Sequence, residues 1–413
     1  MATLGIDFGT SNTAAAVAAG GRPYVIPLEN GRDVVPTAVF LDASSRKMVF
    51  GHGAVAALVN GNEGRFMRAL KRVLGTPLMR EPRQIMGKRS TLMEVVTAFI
   101  TMVKQQAEAG TGMRFDGVVS GRPVLFHADP ARDQAAEDDL RACYHAAGFA
   151  RVEFMYEPEA AALSATRDLP DATGLSLVVD IGGGTSDYTL FRSGEKHEVI
   201  ASHGIRIGGT DFDRAISIAH AMPELGLGGQ LKAVFGGTTS PAPVAIFHDL
   251  ATWEKIAFLY TPDTRRAADD MAKVAVDPKP FKRLASLLTD ETGHDLAFAV
   301  EKAKIAANGD SGAGKIDMSL VERALSVPLP RADLDLAVKE FAEDIATHAL
   351  KTLEIAGAAP ADVARVVMVG GSGLIGAVRD AVTRVLPQAQ LVQAGAFSAV
   401  AEGLGIAASA KDA

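Results

Sequence analysis

Apolar and polar positions along this chain fall into two periods. Short, almost unbroken apolar runs closed by Asp, Gly or Pro predict buried strands around 4–8, 117–122, 152–156, 177–179 and 363–369. Apolar residues at helical spacing predict helices between them. The clearest is 91–109, where Leu92, Val95, Val96, Phe99, Ile100 and Val103 form an i, i+3, i+4 stripe. Others are 131–148, closed by Gly148, and 159–165, opened by Glu157 and Pro158. Further on come 298–307, 333–356, a helix from Ile375 and a small-residue helix over 397–410. Segment 66–74 carries apolar and basic residues at helical spacing before Gly75 and Pro77, which predicts a helix with Lys71 and Arg72 on a solvated face. Segments 81–90 and 223–243 read as polar loops, 252–259 and 282–288 as helices, 315–327 as strand and turns, and 168–174 as a turn-rich boundary. Strands alternating with helices predict an α/β fold.

One stretch organises the rest. Leu177, Val178 and Val179 read as a strand that Asp180 ends; Gly182, Gly183 and Gly184 form a tight turn; Thr185 and Asp187 lead into a second alternating run, 188–191. Adjacent glycines let backbone N–H groups approach an anion with no Cβ in the way. An acidic residue on each side of such a turn would repel a bare phosphate, so the pairing implies a cation between them, such as Mg2+. A plain Gly-rich β-hairpin accounts for this stretch equally well when it stands alone. The design occurs twice, however. Near the N-terminus Leu4 and Ile6 lead to Asp7, Gly9, Thr10, Ser11 and Thr13 and on to an apolar run ending at Val17. Asp7 matches Asp180, and Thr10 falls near Thr185. Two such hairpins predict two related lobes, each offering a phosphate-holding turn to a shared cleft. Glu157 falls at the C-terminal tip of a strand, where open α/β sheets place functional residues. Gly370 to Gly373, between a strand and a helix, suits either an anion or an ordinary βα turn.

Length and charge narrow the class. At 413 residues there is room for two or three domain-sized units, and a chain 48% hydrophobic and 22% charged is ordinary for a soluble globular enzyme. A net charge of −7 argues against nucleic acid as the main partner. Cys143 is the single cysteine, so no internal disulfide forms and a cytoplasmic location is expected; within a helix it reads as a buried structural thiol. The N-terminus lacks a signal-peptide pattern, and no apolar run is long enough to span a membrane.

The ordered set of segments resembles the actin-like ATPase superfamily, and within it the ATPase domain of the DnaK-type, seventy-kilodalton heat-shock chaperones. Ile6 to Asn12 is similar to the family's first phosphate motif, Tyr156 to Ala162 to its first connecting motif, and Asp180 to Asp187 to its second phosphate motif. Gly208 to Asp213 is similar to its Gly-Gly-x-Asp-Phe-Asp segment, Glu301 to Ala306 to its adenosine-contacting helix, and Gly370 to Ser372 to its adenosine motif. The resemblance implies a two-lobed fold of duplicated ribonuclease-H-like domains with a nucleotide cleft between the lobes. Lobe I would cover 1–172, with 393–413 crossing back, and lobe II 173–392. With the last residue at Ala413, no peptide-binding domain is expected, and the chain resembles the short, stand-alone YegD-like chaperones.

Roles follow by resemblance, residue by residue. Asp7 and Asp180 would hold Mg2+ through water. Gly9, Thr10, Ser11, Asn12, Gly182, Gly183, Gly184 and Thr185 would line the phosphates, with Gly208 and Gly209 beside them. Lys71 matches a lysine near the γ-phosphate, and Glu157 and Asp187 would position the attacking water. Pro123 and Arg132 resemble a proline switch linking nucleotide state to a partner domain, at a spacing one residue longer. Glu301, Lys304, Ile305, Asn308, Gly370, Gly371, Ser372 and Leu374 would contact ribose or base. The family clamps adenine between two arginines; here the matching positions are Ile305 and Leu374, an apolar pair that forgoes a cation–π contribution of about 1 kcal/mol per contact. The expected function is that of a slow Mg2+-dependent ATPase, a chaperone-like hydrolase binding ATP or ADP whose lobes respond to nucleotide and act through a protein partner. Nucleic acid and membranes are not expected partners. The alternatives are an actin-like filament-forming ATPase, a small-molecule kinase of the same superfamily using Asp187 as base, and a nucleotide-binding module with negligible turnover.

Overall fold

The computed structural model describes residues 2–19, 22–85, 88–167, 174–193, 198–233, 238–393 and 398–411. Strand β1 (Ala2–Phe8) turns at Gly9 into β2 (Asn12–Ala19), which pairs with it antiparallel so that Asp7 stands opposite Ala14. β3 (Arg22–Val25) and the short edge strand Val34–Pro36 join β2. On its other side β1 runs parallel to β4 (Phe115–Arg122), and β4 runs parallel to β5 (Arg151–Tyr156). The order is therefore β3-β2-β1-β4-β5.

A second sheet repeats that order. β6 (Gly174–Ile181) and β7 (Ser186–Ser193) form the hairpin, with Asp180 opposite Asp187. β8 (Glu198–Ile205) pairs with β7, and β9 (Val363–Val369) and β10 (Gln390–Gln393) extend the sheet in parallel from β6. The order β8-β7-β6-β9-β10 matches the first sheet strand for strand. The duplication visible in two short motifs thus extends to two whole sheets, in line with the expected fold of duplicated domains.

Parallel neighbours need crossover connections, and helices supply them. α1 (Leu92–Thr111) precedes β4, α2 (Pro130–Ala146) joins β4 to β5, and α3 (Glu157–Arg167) follows β5. α1 opens with a capping box, in which Thr91 and Glu94 satisfy each other's backbone N–H, and closes on Gly112 in the left-handed region. Its stripe meets β1: Leu4, Ile6 and Phe8 are buried with Val95, Phe99 and Ile100, and the Phe8 and Phe99 rings lie 6.0 Å apart. Each such side chain contributes roughly 2 kcal/mol by leaving water. Cys143 on α2 is buried in the same core, and burial pushes its thiol up to about 11, which fits a structural role.

The chain divides into two compact units, Met1–Gly209 with Ala342–Ala413, and Thr210–Phe341. Both sheets belong to the first. In the second, α4 (Gly293–Asn308) packs against the hairpin Ala313–Asp317 and Ser326–Pro330, so tightly that a Cβ on Gly314 would meet the Ala303 carbonyl at 2.2 Å. α5 (Arg331–Ala356) leads back into the first unit, followed by α6 (Gly376–Val385) and α7 (Ala399–Ser409). α7 packs on β1 through glycines: a Cβ on Gly5 would come within 2.5 Å of the Gly405 nitrogen. No helix among the described residues is long and apolar enough to cross a membrane.

Several local readings change. Segment 66–74 is not a helix: Gly64–Arg68 is a strand paired with Ala38–Asp42, and a 3-10 turn, Leu70–Val73, follows Ala69. The apolar spacing of Phe66, Met67, Leu70 and Val73 fits both arrangements, and strand pairing decides. Lys71 is therefore buried, at 6% exposure, rather than solvated. Segment 81–90 contains the hairpin strands Arg83–Ile85 and Lys88–Ser90, and 223–243 holds the buried Leu225 and a short hairpin, Gln230–Lys232 with Thr239–Pro241. The helix Pro262–Val274 was hidden by a weak stripe, since only Ala268 and Met271 are buried on it. Residues 168–173 of the boundary segment, and Phe397 at the start of the last helix, lie outside the described residues.

Candidate functional site

Both glycine turns of the first unit are shaped by close backbone approach. A Cβ on Gly9 would meet the Asn12 carbonyl at 2.3 Å, so the β1–β2 turn closes only with glycine there. Across from it, Gly183 leaves room for Ser11, whose Oγ would lie 2.4 Å from an added Cβ, and Gly184 leaves room for Thr10 Oγ1 at 3.0 Å. The two turns therefore face each other directly, Thr10 and Ser11 against Gly183 and Gly184. Gly208 seals the back of the second turn, where a Cβ would meet the Gly184 nitrogen at 2.5 Å. Gly209 donates its N–H to the Gly182 carbonyl, and Gly182 donates to the Thr185 carbonyl.

The glycine turn after β9 joins this constellation. Gly370 has a φ of 80°, and a Cβ there would meet the Ile181 carbonyl at 2.3 Å and Asp180 Oδ1 at 3.0 Å. Ser372 donates its hydroxyl to the Gly182 carbonyl at 3.3 Å. Gly371 lies in the same 3-10 turn, Gly371–Leu374, and Leu374 is 40% exposed.

Beside the turns stands a buried charge cluster. Lys71 forms an ion pair with Glu157, the first residue of α3. Asp7 is the penultimate residue of β1, and Asp180 and Asp187 face each other across the β6–β7 hairpin. Burial, then the Glu157 charge, raises Asp7 to about 7. Burial and Glu157 likewise raise Asp187 to about 8, against hydrogen bonds from Thr185 and from the Val124 N–H at 2.6 Å. Asp180 is raised well above the usual carboxylate range by burial and by Glu157, Asp187 and Asp7. For Lys71, burial opposes the ammonium, but Glu157 and Asp7 prevail and its pKa rises. Four carboxylates and one ammonium thus act on one another in a desolvated place, an environment that functional sites share with structural ion-pair networks.

The donor set fits a hydrated divalent cation. Asp7 and Asp180 are hard oxygen ligands whose burial with other carboxylates is relieved by positive charge. Among the described residues no three metal-ligating side chains converge, so a cation here would take its remaining ligands from water and phosphate oxygens, as Mg2+ commonly does.

The remaining expected contacts belong to the second unit. Glu301, Lys304, Ile305 and Asn308 lie on α4. Lys304 is buried and paired with Asp213 at 2.6 Å, and Trp253 Nε1 donates to the same carboxylate. Ile305 is 65% exposed, and Asn308 accepts a hydrogen bond from Arg331. In the first unit, Arg132 is exposed on α2, whereas Pro123 begins the loop whose Val124 holds Asp187.

Three participants carried no sequence signal. Gly204 stands opposite Asp187 in the β7–β8 ladder, where a Cβ would lie 2.7 Å from Asp187 Oδ1. Arg206 and His127 contact each other and the Lys71 turn. A lone Gly, Arg or His in a strand end or loop has no period or motif to mark it.

A family model described as Hsp70 protein matches residues 3–226, more than half of the chain. The matched region spans both facing turns, Lys71, Glu157 and the Asp180–Asp187 hairpin.

Proposed function

Because this chain belongs to the Hsp70 family of chaperone-like, ATP-binding proteins, we propose that it hydrolyses ATP slowly with Mg2+ and that its lobes, 1–172 with 393–413 and 173–392, change conformation with nucleotide state. The observation that carries this reading is the opposition of the two glycine turns next to the buried Lys71–Glu157 pair. Backbone N–H groups and hydroxyls of Thr10, Ser11, Gly183, Gly184 and Thr185 suit phosphate oxygens. Mg2+ held through Asp7 and Asp180 would neutralise those oxygens. Lys71 brings a fixed cation to the terminal phosphate, and Glu157 and Asp187 are the acceptors available to orient a water. The chemistry is positioning and electrostatic stabilisation, with no covalent intermediate on the protein.

A kinase reading needs Asp187 as a base for a substrate hydroxyl. Its Oδ1 is already engaged by the Val124 N–H, which favours a water-orienting role. By resemblance we further read Glu301, Lys304, Ile305 and Asn308 of the second unit, and separately Gly370, Gly371, Ser372 and Leu374 of the first, as nucleoside-contacting residues. The working partner is a protein client, and the working location the cytoplasm.

Steady-state ATP turnover with Mg2+, for the wild-type protein and for Asp180→Asn and Glu157→Ala, tests the proposal. Slow hydrolysis lost in both variants supports it. Wild-type turnover of sugars or acids at the expense of ATP would favour a kinase, and turnover unaffected by either substitution would move the site elsewhere.

A further inference from the structure

The turn that carries Lys71 is closed by two backbone hydrogen bonds of its own, from the Arg72 N–H to the Ala69 carbonyl at 3.0 Å and from the Leu74 N–H to the Lys71 carbonyl at 3.4 Å. It begins at Ala69, whose φ of 60° is left-handed backbone for a residue with a Cβ, and it is a single 3-10 turn, Leu70–Val73. One of its carbonyls, and that of Leu74 just after it, are held from outside. Arg206 Nη2 donates to the Arg72 carbonyl at 2.8 Å, and His127 Nε2 lies 2.6 Å from the Leu74 carbonyl. The two side chains also meet, with Arg206 Nη1 2.8 Å from His127 Nδ1.

These contacts fix the imidazole's protonation. A carbonyl only accepts, so His127 Nε2 carries the hydrogen. A guanidinium only donates, so Nδ1 offers its lone pair. The neutral Nε2–H form satisfies both partners. A second proton, on Nδ1, removes the acceptor and sets two cations face to face.

Both holders trace back to Asp187. His127 lies in the loop between β4 and α2 in which Val124 donates to Asp187, and Asp133 of α2 accepts from the N–H groups of Phe126 and His127. Arg206 follows Gly204, the ladder partner of Asp187, and the adjoining Ile207 carbonyl accepts from Ser186. The contact between Arg206 and His127 therefore closes a chain of hydrogen bonds from the Asp187 hairpin to the Lys71 turn.

Taking the site as ATP-hydrolysing, we propose that Arg206 and His127 are a positioning pair for Lys71, which fix the 70–74 turn only while the His127 imidazole is neutral. The charged groups around that imidazole are Arg206 from the segment after β8 and Arg132 and Asp133 from α2. Burial and the two arginines favour the neutral ring and hold the imidazole below its ordinary range, against the hydrogen bond to the Leu74 carbonyl and the charge of Asp133. Acidification that protonates the imidazole should release the turn.

The test combines hydrogen–deuterium exchange over 70–76 in the nucleotide-free protein with ATP turnover from about pH 5.5 to about pH 8. His127→Ala and Arg206→Ala should speed exchange there by about tenfold and lower kcat by a similar factor, while KM moves less. His127→Gln can donate to Leu74 and accept from Arg206 without titrating. It should keep wild-type exchange and near-wild-type kcat at neutral pH, and its acid limb should be flatter than the wild type's. Wild-type exchange in both alanine variants would overturn the pairing, and a wild-type acid limb in His127→Gln would overturn its dependence on the neutral ring. If the wild-type protein shows no turnover, the ATPase reading fails, and the exchange comparison still decides whether the pair holds the turn.

Discussion

Lys71 and Glu157, 86 positions apart in sequence, form a buried ion pair with 6% and 10% of their side chains exposed. The pair ties the turn Leu70–Val73 to the start of α3 and supplies the one ammonium described within the carboxylate cluster. Removing one partner of a buried pair leaves the other desolvated, which costs more than the pair contributes when intact.

Lys71→Met is therefore expected to destabilise the protein by about 3 kcal/mol and to reduce ATP turnover at least about a hundredfold. Adding Glu157→Gln removes the stranded charge and should restore most of the stability but none of the activity. Thermal melts of the two single variants and the double variant form the cycle; strict additivity would show that the pair is not coupled.

Stability should depend on pH with a definite sign. Asp7 and Asp187 titrate at about 7 and about 8 in the folded protein, against 3.8 for a free carboxyl. The folded form thus holds protons that the unfolded chain has already lost. This contribution is fully present below the unfolded value and disappears as pH rises through the folded values. The melting temperature of the nucleotide-free protein should fall from about pH 5 to about pH 8, with stability dropping by an amount on the order of several kcal/mol. Mg2+ with ADP requires the ionised carboxylates, so its stabilisation should grow over the same range. A melting temperature that rises or stays flat would contradict the burial of these groups.

Glycines of the second turn should differ sharply in tolerance. A Cβ on Gly208 would strike the backbone of Gly183 and Gly184 at 2.5 to 2.6 Å, whereas one on Gly182 would meet only the Thr185 carbonyl at 3.6 Å. Gly208→Ala should cost about 2 kcal/mol and weaken ADP binding about tenfold or more, because it pushes the turn out of place. Gly182→Ala should stay within about 0.5 kcal/mol of wild type. Calorimetric titration and melts on both variants check the contrast.

Leu374 is 40% exposed at the end of the Gly371–Leu374 turn, which is anchored to the second glycine turn through Ser372. A guanidinium here could stack on a purine. Leu374→Arg should tighten ADP binding about fivefold, the equivalent of one cation–π contact of about 1 kcal/mol. Unchanged or weaker binding by titration would remove Leu374 from the nucleoside-contacting set.

Local pattern carried a large part of the fold. The apolar runs at 4–17 and 177–191, the capped stripe of α1 and the strand Val363–Val369 follow from residues that neighbour one another in the chain. Glycine-rich turns flanked by aspartates were equally legible, because close backbone approach has a composition. Segment 66–74 was not, since its apolar spacing satisfies a helix and a strand alike. Only pairing with Ala38–Asp42 decided between them, and that pairing buried Lys71. The convergence of Asp7, Lys71, Glu157, Asp180 and Asp187 is likewise a tertiary fact: their mutual charge effects exist only because the two hairpins and α3 come together away from water. Gly204, Arg206 and His127 have no meaning in one dimension. What the sequence determined by itself was which segments fold and turn, through local periodicity and backbone freedom. The tertiary structure alone decided which isolated side chains are buried against one another, and hence which of their charges matter.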